Sequence, residues 1–239
     1  SSGPFSVING LNGAFDEVKI YQGSKLAEAF TANIQIKDDN HPLGTISLET
    51  PETRFIDDPH RPIFHAMPPA NWANEPHGLV EFNGQYHMFY QRTPNGPFKT
   101  QMHWGHMMSD NFVNWTHMQD ALWPEVEQGG TNGFDMKGIW SGDVVVEGDT
   151  AYAFYTNVNH TGPFNPGVAV ATSTDADLQT WTKLGPIIDR TGVDDMRDPY
   201  LWKDGDTWHM IVGAIKSGHG ALLHLSTSDI SDINSWQSS

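Results

Sequence analysis

The chain has 239 residues, of which 38% are hydrophobic and 11% aromatic, as in a folded globular protein rather than a disordered one. Thirteen Lys and Arg stand against 29 Asp and Glu, and the formal charge of −16 disfavours nucleic acid and anionic membrane surfaces as partners. The absence of cysteine excludes disulfides and thiol catalysis, and no apolar run is long enough to predict a membrane span.

The first segment, residues 1–45, lies outside the pattern found further along the chain. Its run 11-LNGAFDEVKIYQGSKLAEAF-30 combines a strand with a short helix-like tail. This run resembles the closing segment of concanavalin-like (laminin-G-like) lectin domains, and the resemblance implies the C-terminal part of a β-sandwich. Residues 46–61, which include Pro51 and Pro59, are predicted to form a linker.

From residue 62 to the end, short alternating runs bounded by Gly, Asn and Asp predict β-hairpins. The three hairpins are predicted over residues 78–91, 142–157 and 198–214. Asn83-Gly84 in the first hairpin is a strong turn signal, because a type I′ turn needs positive φ at both central residues. Few stretches show a helical period, so the chain is predicted to be all-β.

The segment that follows each hairpin repeats one sequence pattern. It has a strand, then Ser or Thr with Asp, then a Trp. The three tryptophans are Trp115, Trp181 and Trp236, separated by 66 and 55 residues. This spacing is typical of four-stranded sheets repeated about an axis, and it predicts a β-propeller of which the chain covers about three to four blades. A long antiparallel sandwich is the alternative, but a sandwich does not require this repeated sequence pattern.

Three carboxylates precede the hairpin glycines at the predicted entrances of the innermost strands. Glu75, Asp143 and Asp198 lie nine, five and seven residues before those glycines. Because all three offsets are odd, the side chains are predicted to lie on corresponding faces and to line one funnel, where mutual repulsion raises the pKa of at least one. Two carboxylates near one bond are what glycoside hydrolysis needs, and Trp104 and Trp140 offer stacking faces for a sugar.

Five motifs in fixed order carry a family resemblance. They are 72-WANEPHG-78, 86-YHMFYQ-91, 104-WGHMMSDNFVNW-115, 140-WSGD-143 and 196-MRDP-199. Together they resemble the N-terminal catalytic domain of glycoside hydrolase family 32, the invertase, levanase and inulinase family, over residues 62–239. The resemblance implies a five-bladed β-propeller and retaining hydrolysis of fructosyl, β-fructofuranosidase-like glycosidic bonds. No cofactor and no metal are predicted.

The resemblance also implies roles for single residues. Glu75 takes the nucleophile position, and Asp198 takes the position of the transition-state stabiliser. With the residues placed by the repeat, the predicted substrate-binding set is Asn74, Gln91, Trp104, Trp140, Ser141, Asp143 and Arg197. The expected partner is an oligo- or polysaccharide such as a fructan or a sucrose-like sugar. The expected localisation is secreted, periplasmic or at the cell surface.

The sequence departs from the family pattern at the nucleophile. Glu75 stands where the family has Asp, and the extra methylene moves the carboxylate by about 1.5 Å. Because a misplacement of about 1 Å can cost on the order of 10²-fold in rate, either the pocket is rebuilt around the longer acid or activity is low. His77 and Lys99 also replace the Asn and the sugar-facing Trp of the family. No Glu follows Asp198, so the acid/base residue has no counterpart in this numbering.

Two other functions remain open on the sequence. A non-catalytic carbohydrate-binding protein would carry Glu75 as a decayed nucleophile. An inverting arabinanase- or xylosidase-like hydrolase would share the five-bladed fold and hold its carboxylates farther apart to admit water. Gln91 and the Trp-Gly-His block favour the fructosidase interpretation over both.

Overall fold

The computed structural model describes residues 57–62, 65–94, 99, 101–124, 133–159 and 165–238. The chain divides into two units between Leu48 and Glu49, and all described residues belong to the second unit. The lectin-like segment predicted over residues 1–45 lies outside the described residues, and so does most of the predicted linker.

Twelve strands in the described part form three antiparallel sheets of four strands each. Sheet A contains β1 (Trp72–Phe82), β2 (Gln85–Thr93), β3 (His103–Ser109) and β4 (Thr116–His117). Sheet B contains β5 (Gly138–Glu147), β6 (Thr150–Asn159), β7 (Asn165–Ser173) and β8 (Thr182–Ile188). Sheet C contains β9 (Asp195–Asp204), β10 (Thr207–Lys216), β11 (His219–Thr227) and β12 (Gln237–Ser238). Consecutive strands are neighbours throughout, so each sheet is a meander.

The prediction of an all-β chain built from repeated four-stranded sheets is confirmed. β1 packs beside β5, and β5 packs beside β9, so the first strands of the three sheets lie next to one another. No helix in the described ranges meets the length and hydropathy needed to cross a membrane. The number of five blades for a complete propeller stays a prediction.

The hairpin turns follow from their residues. Asn83 and Gly84 have φ of 51° and 76°, the two positive values that a type I′ turn requires. Gly148 and Gly205, the first turn residues of the other two predicted hairpins, have φ of 60° and 58°. A fourth tight turn, Ser217-Gly218 with φ of 53° and 74°, joins β10 to β11 and was not predicted from the sequence.

The repeated Ser or Thr forms the same turn in each sheet, and the Trp of the repeat adds a second hydrogen bond in sheets A and B. The hydroxyl that ends the third strand accepts a backbone N–H from two residues later, at 3.1 Å for Ser109, 3.1 Å for Ser173 and 2.9 Å for Thr227. Trp115 and Trp181 each donate the indole N–H to the backbone carbonyl three residues earlier, at 3.2 and 2.7 Å. The sequence repeat is therefore a repeat of local hydrogen bonding that turns the chain into the outermost strand.

Sheet B is buried on both faces because sheets A and C cover it from either side. Alternate residues of a strand point to opposite faces, and β6 is apolar at both sets of positions. Ala153 and Tyr155 join the core against sheet A, whereas Tyr152 and Phe154 join the core against sheet C. The first core also holds Phe89, Trp104, Leu122, Ile139 and Leu178, and the second holds Met196, Leu201, Met210, Val212 and Leu225.

A hydrogen-bonded pair of histidines lies inside the core of sheet A. His87 Nδ1 is 2.9 Å from His106 Nε2, both residues are fully buried, and His106 stacks on Phe89 at 4.7 Å between centroids. Burial lowers the pKa of both imidazoles, and the charge of His87 lowers that of His106 further. Sheet C carries the matching pair His209 and His224 at 3.0 Å, which is partly exposed.

The buried pair predicts a loss of stability in mild acid. Because the pKa of His87 and His106 is lower in the folded chain, the unfolded chain binds protons first as the pH falls below about 6.5. Each histidine then removes up to ~1.4 kcal/mol of unfolding free energy per pH unit. Denaturant unfolding between pH 7.5 and 5 is expected to show this slope for the wild type and a much smaller slope for His87→Phe/His106→Phe.

The partly exposed pair of sheet C supplies the matched control for that measurement. His209→Phe/His224→Phe is expected to keep the slope that the buried pair produces, because it leaves His87 and His106 in place. Equal slopes in all three proteins would show that the buried histidines do not govern the acid sensitivity.

Candidate active site

Each innermost strand carries one extra residue near its start. The register between β1 and β2 shifts between Ala73 and Pro76, and that between β5 and β6 shifts between Ile139 and Gly142. The register between β9 and β10 shifts opposite Ile211 and Gly213, where residues 198–199 lie unpaired. Such β-bulges re-aim side chains, and here they contain the predicted site residues Asn74, Glu75, Trp140, Ser141 and Asp198.

Glu75 is tied to two neighbouring strands by hydrogen bonds. Ser141 Oγ, on β5, donates to Glu75 Oε1 in a short hydrogen bond. Gln91 Nε2, on β2, donates to the same Oε1 at 3.1 Å and to Ser141 Oγ at 2.5 Å. The Glu75 side chain is exposed, whereas Gln91 and Ser141 are each only 5% exposed. The predicted residues Glu75, Gln91 and Ser141 therefore meet at one point between sheets A and B.

Asp198 enters the same site from sheet C. Its backbone has φ of 62°, a left-handed conformation that is uncommon for a residue with a side chain and that is often found at functional sites. Desolvation by the surrounding cleft raises the pKa of its carboxyl, the Arg197 guanidinium lowers it, and the charges of Glu75 and Asp195 raise it. The structure therefore brings Glu75 and Asp198 close enough for their charges to interact, as the sequence predicted.

Arg197 is exposed and is held from two sides. Its guanidinium forms a short ion pair with Asp195 and lies 5.5 Å from the centroid of the Trp140 ring. The ammonium of Lys99 lies 5.5 Å from the same ring and 5.8 Å from the ring of Trp72. Two cations at a tryptophan face are attracted by its ring electrons, and the Arg197 guanidinium also lowers the pKa of the neighbouring Asp198.

Asp143 does not join Glu75 and Asp198. Its two carboxylate oxygens accept the backbone N–H groups of Val144 and Leu201, each at 2.9 Å, so the side chain links sheet B to sheet C. Burial raises the pKa of Asp143, and the two N–H donors lower it. Odd offsets from the glycines do not mean a shared face here, because bulges lie between the hairpin glycine and Glu75 or Asp198 but not between Gly148 and Asp143.

Trp104 lies behind the site rather than on its surface. It is 0% exposed, and its indole N–H donates to the backbone carbonyl of Trp140 at 2.8 Å. His77 packs against its ring at 4.3 Å, and burial lowers the pKa of His77 to about 3, opposed by a hydrogen bond with the backbone of Glu75. His77 is therefore neutral at neutral pH and adds no charge next to Glu75.

Thr156 is a site residue that sequence reasoning missed. Its hydroxyl donates to the backbone carbonyl of Ser141 at 3.0 Å and accepts the backbone N–H of Asp198 at 2.8 Å. Thr156 lies opposite the β5 bulge in the same way that Gln91 lies opposite the β1 bulge. Aligning the second strands of the three sheets with one another would have placed Thr156 at the position of Gln91.

Among the described residues, the site combines carboxylates with hydroxyl, amide and guanidinium donors. No group of three or more His, Cys, Asp or Glu residues within the described part of the chain is arranged to hold a metal ion. One exposed carboxylate fixed by two donors, a second carboxylate with a raised pKa and flanking aromatic rings form an arrangement suited to displacement at a sugar carbon.

Comparison with known proteins gives a match over most of the chain. The family model described as the glycosyl hydrolases family 32 N-terminal domain matches residues 65–239. A levanase of Bacillus subtilis (strain 168) is 34% identical over 185 residues, covering 70% of this chain and 25% of its own length. A sucrose-6-phosphate hydrolase of Escherichia coli is 38% identical over 168 residues, covering 68% of this chain and 34% of its own length.

Solved structures agree with these matches. A family 32 beta-fructofuranosidase of Bombyx mori superimposes with a TM-score of 0.66 at 30% identity, covering 78% of this chain and 39% of that one. A fructan 1-exohydrolase of Cichorium intybus, known also in complex with 1-kestose, gives a TM-score of 0.66 at 30% identity and covers 77% of this chain and 34% of that one. The chain thus spans only about a quarter to two fifths of the length of these relatives.

The link made by Asp143 predicts a stability effect. Asp143→Ala removes the acceptor for two backbone N–H groups and is expected to lower the unfolding free energy by ~2 kcal/mol, because each buried unpaired donor is costly. Denaturant unfolding measures this change. Asp149→Ala, in the exposed turn of the same hairpin, is the matched control and is expected to change it by less than ~0.5 kcal/mol. An Asp143→Ala protein as stable as the control would contradict the linking role.

Proposed function

Because the chain belongs to glycosyl hydrolase family 32, we propose that it forms part of a glycosidase that cleaves fructosyl bonds with retention of configuration. Glu75 is the nucleophile, and Asp198 stabilises the transition state through the sugar hydroxyls. The general acid is assigned to no residue of this chain. The proposed substrates are fructans or sucrose-like sugars, in keeping with the names of the related levanase and fructan exohydrolase.

The observation that carries this proposal is the approach of Glu75 and Asp198, which lie in the bulges of β1 and β9, the two inner strands on either side of β5. Their charges interact, since Glu75 raises the pKa of Asp198, and both side chains are exposed to an incoming sugar. Two distant parts of the sequence are thereby brought to one opening. A glycan-binding protein needs no such approach of two like charges, which is costly unless chemistry uses it.

The chemistry follows in two displacements. Glu75 attacks the anomeric carbon, the bond from that carbon to the leaving oxygen breaks, and a general acid supplies the proton that this oxygen takes up. Water then attacks the glycosyl ester, gives a proton to the same acid–base group and releases the sugar and the Glu75 carboxylate. Asp198 accepts hydrogen bonds from hydroxyls next to the reacting carbon, and the neighbouring Arg197 guanidinium is exposed and lies near the buried Trp140 ring.

Secretion or location in the periplasm or at the cell surface is proposed together with this function. A polymeric fructan is too large to cross a membrane, so an enzyme that acts on it works outside the cytoplasm. Fractionation of producing cells, with activity measured in each fraction, tests this part of the proposal separately.

The decisive experiment measures sugar released by the full-length protein from sucrose, levan, inulin and arabinan. Fructose is expected from one or more of the first three substrates, and Glu75→Ala is expected to lower the rate by at least ~10³-fold, because it removes the nucleophile. Glu147→Ala is the matched control, since Glu147 is an exposed acid at the far end of the inner strand β5. Its rate is expected to stay within about twofold of the wild type.

Other outcomes identify the competing functions. Binding of fructan without cleavage would support the carbohydrate-binding protein. Release of arabinose from arabinan, with inversion at the anomeric carbon, would support the inverting hydrolase.

A further inference from the structure

Glu75, Ser141 and Gln91 form a closed triangle of hydrogen bonds. Gln91 donates one amide hydrogen to Glu75 Oε1 at 3.1 Å and the other to Ser141 Oγ at 2.5 Å. Ser141 donates its only hydrogen to the same Glu75 oxygen. A primary amide has two donor hydrogens and a hydroxyl has one, so all three hydrogens of Gln91 and Ser141 are used within the triangle.

This arrangement leaves the two residues poorly placed to bind sugar themselves. Both are only 5% exposed, and their hydrogens already point at each other and at Glu75. Their hydroxyl and amide therefore meet the carboxylate rather than the protein surface. By contrast, Glu75 Oε2 receives no hydrogen bond from the described residues, and the side chain is exposed.

We infer that Ser141 and Gln91 are positioning residues that hold the longer carboxylate of Glu75 by Oε1 and leave Oε2 as the attacking oxygen. The inference rests on the proposed function, in which Glu75 is the nucleophile. It explains how a glutamate can act as the nucleophile although a displacement of the attacking carboxylate by about 1 Å lowers the reaction rate strongly. Hydrogen bonds from two different strands fix the Glu75 carboxylate. Without them, the extra methylene would give the Glu75 side chain more rotational freedom.

An aspartate at position 75 would lose this support. Its carboxylate is shorter by one C–C bond, about 1.5 Å, and withdraws from donors that the backbones of β2 and β5 hold in place. Ser141 and Gln91 are therefore matched to the length of Glu75, and their effect on catalysis is expected to depend on which acid stands there.

A double-mutant cycle tests this dependence in the full-length protein. Ser141→Ala and Gln91→Met are each made with Glu75 and with Glu75→Asp, and kcat and KM are measured on sucrose or on the best substrate found. With Glu75, each change is expected to lower kcat by ~10²-fold with KM within about threefold, because only the position of the nucleophile is altered. With Glu75→Asp, the same changes are expected to lower kcat by no more than about threefold.

Thr156→Val is the matched control for this cycle. Thr156 bridges Ser141 and Asp198 through backbone atoms and does not contact Glu75, so its replacement is expected to lower kcat by the same factor with either acid. Thermal unfolding of every variant excludes loss of folded protein as the cause of a lower rate.

The outcomes separate this inference from the proposed function. Equal losses from Ser141→Ala and Gln91→Met with either acid, or losses confined to KM, would show that these residues bind sugar directly and would overturn the inference alone. A wild-type protein that cleaves no substrate would overturn the proposed function and the inference together.

Discussion

An extra residue near the start of each innermost strand is the constraint on which the site depends. In a regular strand, successive side chains alternate between the two faces of the sheet, and none points along the edge where three sheets meet. The three bulges break this alternation next to one another, because β1, β5 and β9 lie side by side. Glu75, Ser141 and Asp198 are the side chains that the bulges turn toward the common opening.

The same region also joins the sheets to one another. Gln91 of sheet A reaches Ser141 of sheet B, and Thr156 of sheet B holds the backbone N–H of Asp198 in sheet C. Asp143 adds a bond from sheet B to Leu201 of sheet C. Within sheet B the β5 bulge is closely packed as well, since a Cβ on Gly142 would lie 1.9 Å from the carbonyl oxygen of Phe154 on β6. Stability between sheets and geometry of the site therefore rest on the same few contacts.

Much of the fold was predictable because its signals are local. Turn residues such as Asn83-Gly84 need positive φ, and the repeated Ser/Thr and Trp form hydrogen bonds within a few residues of each other. Glu75 and Asp198 were predicted as a pair because each precedes a proline in a motif that resembles a family pattern.

The remaining features depend on contacts between sheets, which leave no local signal. Asp143 was predicted in the funnel but lies between sheets B and C, because the bulges of β1 and β9 shift Glu75 and Asp198 relative to their glycines and no bulge separates Asp143 from Gly148. Thr156 was missed because a threonine in an apolar strand looks like any other strand residue. Trp104 was predicted at the sugar, and only the packing of sheets A and B shows that it is enclosed.

The most direct test of the account is detection of the sugar on Glu75 itself. A fructoside with a reactive leaving group is mixed with the full-length protein, the reaction is quenched in acid within one turnover, and the peptide containing Glu75 is analysed by mass spectrometry. One added hexosyl residue is expected on that peptide, located at Glu75 by fragmentation. Steady release of fructose with no adduct on Glu75, or with an adduct on another carboxylate, would contradict this expectation.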